Sequence, residues 1–414
     1  MVLIPLIYFI GLFAYILNKH KAWNMDLAAT SLLIVISFFA ILIDVNDIYG
    51  DYGINECSLT LPTVLLFCIQ WTFVIFLLKT VCRLPLQKHI RIKDKLLYLF
   101  LIFVTISSVI MIATKTSDIK EALIMDMADV RGEHYKELSQ GSNEGANYFM
   151  LIPQILVCAP FPTAALFFWF YMKAFMDSSR FLQMGILLAS VVQAVLSIIM
   201  AGRAAMIYWA FDFFMLYSYF YRYLSTATKR IINITALLIG GLSAFLFISI
   251  TIARFDGGSR NPFESLYGYA GQHVNNFCTM FVHASDSPFS IDRIFPLTSK
   301  LSGHQFDLME HYETITSNIK DNIFVNVFDT FGGEIYLDLG WTGYFLFFLF
   351  IFVTTKIIQN RWTEVKFHHV FILIILTAFF TRGLFAWPFV NHYTTIALAL
   401  TIINCYFFKY RFKI

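Results

Sequence analysis

Leu59-Thr-Leu-Pro-Thr-Val-Leu-Leu-Phe-Cys-Ile-Gln-Trp-Thr-Phe-Val-Ile-Phe-Leu-Leu78 decides the fold class. These 20 residues carry no charge, and the next 17 hold Lys79, Arg83, Lys88, Arg91, Lys93 and Lys95 against Asp94 alone. A bilayer core about 30 Å thick takes roughly 20 residues of apolar helix. A basic flank marks the cytoplasmic end of such a helix. Strict two-residue alternation, the mark of a barrel strand, is missing from the stretch, so it reads as a helix.

The same pattern extends outward in both directions. Further apolar segments run at about Leu3–Leu17, Leu27–Val45, Leu96–Ala113, Tyr148–Tyr171, Phe181–Met200, Ala204–Tyr221, Ile231–Ile252, Ile335–Thr354, Phe367–Phe385 and Pro388–Phe408. The expectation is an all-α polytopic membrane protein with about 11 transmembrane helices, within a range of 10–12, forming a single transmembrane domain over residues 1–414. Composition agrees: 58% of residues are hydrophobic and only 14% charged, against about 25% charged in soluble domains. A soluble globule of this composition would expose large apolar patches, and a disordered chain needs the opposite bias. The formal net charge of +3 comes without a basic run or RNA-binding motif, so no nucleic acid partner is expected.

Loop charge orients the chain. The connections on the side of the C-terminus hold 19 of the 30 basic residues, and each of them is basic. The C-terminus is therefore expected in the cytoplasm and Met1 outside. Two long segments then lie outside, 114–147 and 253–334, the second containing short helices that lie at the interface or dip into it. Met1–Leu17 has no basic start or small-residue cleavage site and reads as a first membrane helix. The six cysteines form no CxxC pair, so no metal is expected. A P-loop is also missing, and no internal repeat is evident. Chemistry would take place in the membrane or on its outer face.

The candidate chemistry is a set of charges at outer helix ends. Arg203 lies in the turn Ala201-Gly202-Arg203, Arg254 closes the eighth segment, Arg260 follows six residues on, and Arg382 lies between the last two. Charge beside hydrocarbon is costly and faces a cavity or a partner. Guanidinium groups grip phosphate in a forked geometry and stay charged, which suits a lipid diphosphate. Each arginine taken alone also reads as a snorkelling anchor. Asp338 is a candidate general base or helix cap. His273, His283 and His392 are the histidines that could titrate near neutrality. Asp212, in Trp209-Ala-Phe-Asp-Phe-Phe, marks either a proton path or a structural hydrogen bond.

Two stretches resemble a known family. Asn326-Val-Phe-Asp-Thr-Phe-Gly-Gly-Glu-Ile-Tyr-Leu-Asp-Leu-Gly-Trp-Thr-Gly-Tyr344 is similar to a segment of bacterial oligosaccharide repeat-unit polymerases, the Wzy-type O-antigen polymerases, through Asn326, Thr330, Tyr336, Asp338, Gly340 and Gly343. Ala201-Gly-Arg-Ala-Ala205 looks like an outer turn of the same group, without its leading Ser. The resemblance implies a GT-C-like, metal-independent and cofactor-free glycosyltransferase of the inner membrane. It would build a surface polysaccharide such as O-antigen or capsule. Donor and acceptor would both be undecaprenyl-diphosphate-linked oligosaccharides. Arg203, Arg254, Arg382 and Arg260 would bind diphosphate. Asp338, His273 and His392 would be catalytic, and Thr330 and Tyr336 would position the acceptor. A flippase and a chain-length regulator would share the pathway. An O-antigen ligase has much of the same architecture, and a transporter or lipid-linked oligosaccharide flippase is the remaining alternative.

Overall fold

Residues 1–20, 23–46, 59–86, 95–124, 148–176, 179–200, 204–238, 241, 262–283, 291, 294–303, 330–389 and 392–411 are described by a computed structural model. They are helical with short turns, and they contain no strand, only a single bridge between Leu86 and Val365. The chain packs as two compact units. The first comprises Met1–Leu86, Phe263–Lys366 and Ala378–Thr395, and the second Gln87–Pro262, Phe367–Thr377 and Ile396–Ile414.

In the first unit, α1 (Leu3–His20), α2 (Met25–Val45) and α3 (Leu61–Arg83) pack in sequence. Asn24 caps α2: its side chain accepts the Met25 N–H at 2.9 Å while its amide donates to the Cys82 carbonyl at 3.3 Å, tying the start of α2 to the end of α3. Thr60 and Pro62 begin α3; a proline at the start of a helix loses no intrahelical bond. Inside these apolar helices the hydroxyls turn back to carbonyls one turn earlier, Thr30 to Asp26, Ser37 to Leu33 and Thr72 to Cys68, each at 2.7 Å. Polar groups are thereby satisfied without water.

In the second unit, α4 (Lys95–Thr114) is followed by α5 (Thr116–Ile124), α6 (Tyr148–Leu156), α7 (Phe161–Phe175), α8 (Arg180–Leu196), a 3-10 turn Ser197–Met200 and α9 (Ala204–Phe220). The helix at 226–238, α10, completes its first stretch. Aromatic rings fill its core: Phe167 meets Phe220 at 4.9 Å and Phe170 stacks on Phe220 at 5.8 Å. Such pairs contribute about 0.5–1.5 kcal/mol beyond area burial.

The chain then returns to the first unit with α11 (Pro262–His283), α12 (Pro296–Ser302) and α13 (Thr330–Arg361). The last helices, α14 (Phe367–Gly383) and α15 (His392–Arg411), each divide between the units.

Among the described residues three helices are long and apolar enough to cross a membrane: α2, α3 and α13. The pair α6 and α7 makes a fourth if counted as one broken span. Large side chains on α4 stand exposed at Leu99, Ile102, Phe103, Ile106 and Val109, and on α13 at Phe345, Leu346, Leu349 and Phe350. Apolar faces of this extent need a lipid or protein cover.

Three expectations are revised. The expected span at 148–171 is two helices bent by 57°, because Pro160 and Pro162 interrupt the hydrogen-bond ladder between them. The expected ninth span begins earlier, at Thr330, and is kinked at Gly340 (φ 61°, ψ −163°). The expected interfacial segment in 253–334 is instead a 22-residue helix, α11, buried from Gly271 onward except for a few side chains. Its close approach depends on Gly271, where a Cβ would overlap the backbone of Phe39 and Ala40. In the segment 114–147, expected outside, α5 accounts for the start, and 125–147 lies outside the described residues.

Candidate functional site

The site is built in the first unit on the kinked helix α13. The kink divides it into a half-helix, residues 330–339, and a longer apolar run, 341–361. Two glycines of the sequence motif explain the division. Gly340 adopts a conformation essentially closed to residues with a Cβ. Gly343 leaves room for Leu339, whose side chain would overlap a Cβ there. Every residue from Thr330 to Asp338 is buried, whereas the longer run is largely exposed. Asp338 therefore does not sit one turn inside a straight span. It ends a buried half-helix on the far side of the kink.

Thr330 starts that half-helix in the left-handed region, φ 64°, a strained setting for a β-branched residue. Three contacts hold it. Its N–H donates to the Phe385 carbonyl at 3.3 Å. Its hydroxyl accepts from Gln70 Nε2 on α3 at 3.2 Å. Gln70 Oε1 lies against Gly332, at a place a Cβ would fill. Phe331 adds ring contacts with Trp71 at 5.1 Å and Phe379 at 4.8 Å.

Phe385 belongs to the turn that ends α14. The Arg382 carbonyl accepts the N–H groups of Phe385 at 2.9 Å and Ala386 at 3.1 Å, folding the chain back. The Phe385 ring then meets His273 of α11 edge-on, centroids 4.6 Å apart. Three residues singled out from sequence, Thr330, His273 and Arg382, thus come from three distant stretches to one turn. Asp338 and Glu334 follow Thr330 at four-residue intervals, on one face of the half-helix. Arg382 is 7% exposed, Glu334 4%, Asp338 and His273 0%. Each is engaged by a neighbour. Burying an ion costs several kcal/mol unless it is paired or hydrogen-bonded, so each of these four buried ionisable groups is costly to keep.

Tyr336 is buried and stacks on Phe281 with centroids 4.1 Å apart. His392 begins α15, half-buried, its ring 3.9 Å from Tyr393. Arg203, Arg254 and Arg260 lie outside the described residues. Asp212, in the second unit, accepts a hydrogen bond from Thr163 at 2.6 Å, the structural role that the sequence offered as one of two. Among the described residues no group of three His, Cys, Asp or Glu side chains could hold a metal ion.

Sequence reasoning passed over Glu334, Gln70, Trp71 and Asn275. Glu334 had a signal, midway between Thr330 and Asp338 at helical spacing. Gln70 had one too, as the lone amide in the apolar run 59–78. Both side-chain atoms of Asn275, together with Gln70 Oε1 and Trp71 Nε1, are buried without a hydrogen-bond partner among the described residues. Such groups call for a water, an ion or a ligand.

No protein-family model matches the chain, and no curated protein or solved structure matches it.

Proposed function

We propose that the chain polymerises polyprenyl-diphosphate-linked oligosaccharide repeat units on the outer face of a bacterial inner membrane. In this reading it crosses the bilayer about eleven times in a GT-C-like arrangement, with Met1 outside and the C-terminus in the cytoplasm. One observation supports it most: a half-helix bearing buried Glu334 and Asp338 is anchored to the turn after buried Arg382, and that turn touches buried His273. In this reading Asp338 supplies a base, His273 a proton carrier and Arg382 a phosphate-binding cation.

The chemistry follows from those groups. The acceptor sugar hydroxyl attacks the anomeric carbon of the donor chain. The bond from that carbon to the diphosphate breaks as the new glycosidic bond forms. Asp338 takes the hydroxyl proton, with Glu334 and His273 as neighbouring titratable groups. Arg382 meets the charge that develops on the departing diphosphate, and Arg203, Arg254 and Arg260 are assigned the same task. The energy resides in the donor bond, so no nucleotide or metal enters the reading.

The test is genetic and chemical. Deletion in the source strain leaves surfaces bearing a single repeat unit, and Arg382→Lys or Asp338→Asn fails to restore polymer while the variant protein stays in the membrane. If Arg203→Lys, Arg254→Lys and Arg382→Lys all polymerise normally, the diphosphate assignment is wrong. A deletion that leaves bare surfaces and accumulates lipid-linked polymer identifies a ligase instead. A transport reading draws on one specific observation, the bent pair α6 and α7 with Asp212 bonded to Thr163 just beyond the bend. Polymer synthesis by the purified protein from lipid-linked units excludes transport as its sole activity.

A further inference from the structure

A second polar feature lies in the first unit, between α1 and the later turns of α3, and it is independent of the proposed sugar transfer. Tyr8, Gly11, Tyr15 and Lys19 recur at three- and four-residue intervals, so they share one face of α1. Ile69, Thr72, Phe76, Lys79 and Arg83 do the same on α3. The two faces meet along a seam. Tyr8 Oη lies 2.7 Å from Thr72 Oγ1, and one turn-pair further on Lys79 Nζ stands 5.0 Å over the centre of the Tyr15 ring.

At the charged end of the seam, cations crowd one phenol. Lys19 Nζ donates to Tyr15 Oη at 3.3 Å and lies 5.6 Å from its ring centre. Lys79 also lies 5.4 Å from the Phe76 ring centre. Lys19, Lys79 and Arg83 all act electrostatically on Tyr15, and Lys19 and Arg83 repel Lys79. Lys79 is only 6% exposed, yet among the described residues it makes no ion pair. Asp26, the acidic side chain that acts on it, accepts the Leu27 N–H at 3.0 Å in the first turn of α2. Two ammonium groups beside one ring repel each other unless an anion lies near them.

Beneath the cations the seam is apolar and open. Ile69 and Phe76 are exposed, and nothing lies within 4 Å of where a Gly11 side chain would begin. Cations at the end of a lane of exposed apolar side chains match the two parts of a phospholipid. We propose that the α1–α3 seam binds an anionic phospholipid, its phosphodiester among Lys19, Lys79 and Arg83 and an acyl chain along Gly11, Ile69 and Phe76. The lane of exposed apolar residues selects a lipid rather than soluble phosphate, because phosphate alone would leave it uncovered.

Native mass spectrometry of the full-length protein, extracted into detergent and titrated with phosphatidylglycerol or phosphatidylcholine, tests this. Phosphatidylglycerol is expected to be retained at one site with at least tenfold preference. Removing one cation near a lipid surface weakens binding about fivefold, so Lys79→Gln and Arg83→Gln should each lose that much. Lys356→Gln, at a lone lysine over Phe352 on α13, should lose nothing. Gly11→Leu fits the open space and leaves the charges in place, so it keeps the proposal testable if Lys79→Gln does not fold; it should reduce retention as well. Equal retention of the two lipids overturns the proposal. So does full retention by Arg83→Gln and Gly11→Leu together, or displacement of the lipid by millimolar inorganic phosphate.

Discussion

Gly332→Ala is the most informative single change in the half-helix. Gly332 has ordinary helical backbone, so alanine there should by itself favour the helix by about 1 kcal/mol. The structure reverses the sign. The new methyl would overlap Gln70 Oε1 and stand 3.1 Å from Gln70 Cδ and 3.2 Å from Tyr344 Cε2. Gln70 is fully buried and must swing away, breaking its 3.2 Å bond to Thr330 Oγ1. That loss costs about 1 kcal/mol, and the stranded hydroxyl and amide add about 1–3 kcal/mol. Set against the gain in propensity, Gly332→Ala should destabilise by about 1–3 kcal/mol. In a Gln70→Ala background the obstruction is gone, and the same change should be neutral or stabilising by up to about 1 kcal/mol. The two sites are therefore coupled by roughly 2–3 kcal/mol. The assay is apparent melting temperature of the four purified proteins by fluorescence size-exclusion chromatography. Gly332→Ala should melt below the wild type, and the double variant at or above Gln70→Ala. If Gly332→Ala lowers the midpoint equally in both backgrounds, Gln70 does not clamp the half-helix.

Other outcomes follow from single features. Gly340→Ala meets open space but must hold φ 61° and ψ −163°, so it should destabilise by about 1–3 kcal/mol through backbone strain alone; a midpoint equal to wild type would show that the kink is not required. Thr163→Val removes the 2.6 Å donor to buried Asp212 and should cost about 1–3 kcal/mol, and Asp212→Asn in that background should recover part of it, as read from the same melting curves. Asp118 on α5 has its carboxyl held below the ordinary carboxylate range, chiefly by a hydrogen bond from Lys115 at 2.9 Å. Its contribution is therefore present above the unfolded value of about 3.9 and fades as pH falls through the lower folded value. Both side chains are exposed, so Asp118→Asn should change stability near neutrality by only about 0.2–1 kcal/mol; a larger effect on urea melts would overturn the surface assignment.

Local pattern carried much of the architecture. Long apolar runs with basic flanks placed α2 and α3 to within a few residues, because the helix period and the thickness of a bilayer both act on contiguous sequence. The Gly340 and Gly343 pair was visible as a motif, but its geometry was not. A kink is a property of two torsion angles and of what Leu339 does afterwards, and neither has a periodic signature. Pro160 and Pro162 were likewise present in an apolar run that read as one helix, since hydropathy averages over a break that costs only a few residues.

The candidate site divides in the same way. Residue type alone marked Arg382, Asp338 and His273, because ionisable groups stand out against hydrocarbon wherever they occur. How the segments that carry them are tied together was decided by long-range contacts: the Thr330 N–H reaching the Phe385 carbonyl, the Phe385 ring meeting His273, and Gln70 bonding to a residue 260 positions away. The cationic corner at Tyr15 has the same origin. Lys19 and Lys79 were each legible as basic flanks of apolar segments, yet only the parallel packing of α1 against α3 brings them to one ring. Helices, spans and charges arise from neighbours within a turn, which the order of residues records. Which buried polar groups share a pocket depends on how separate helices pack, and that is a property of the folded molecule as a whole.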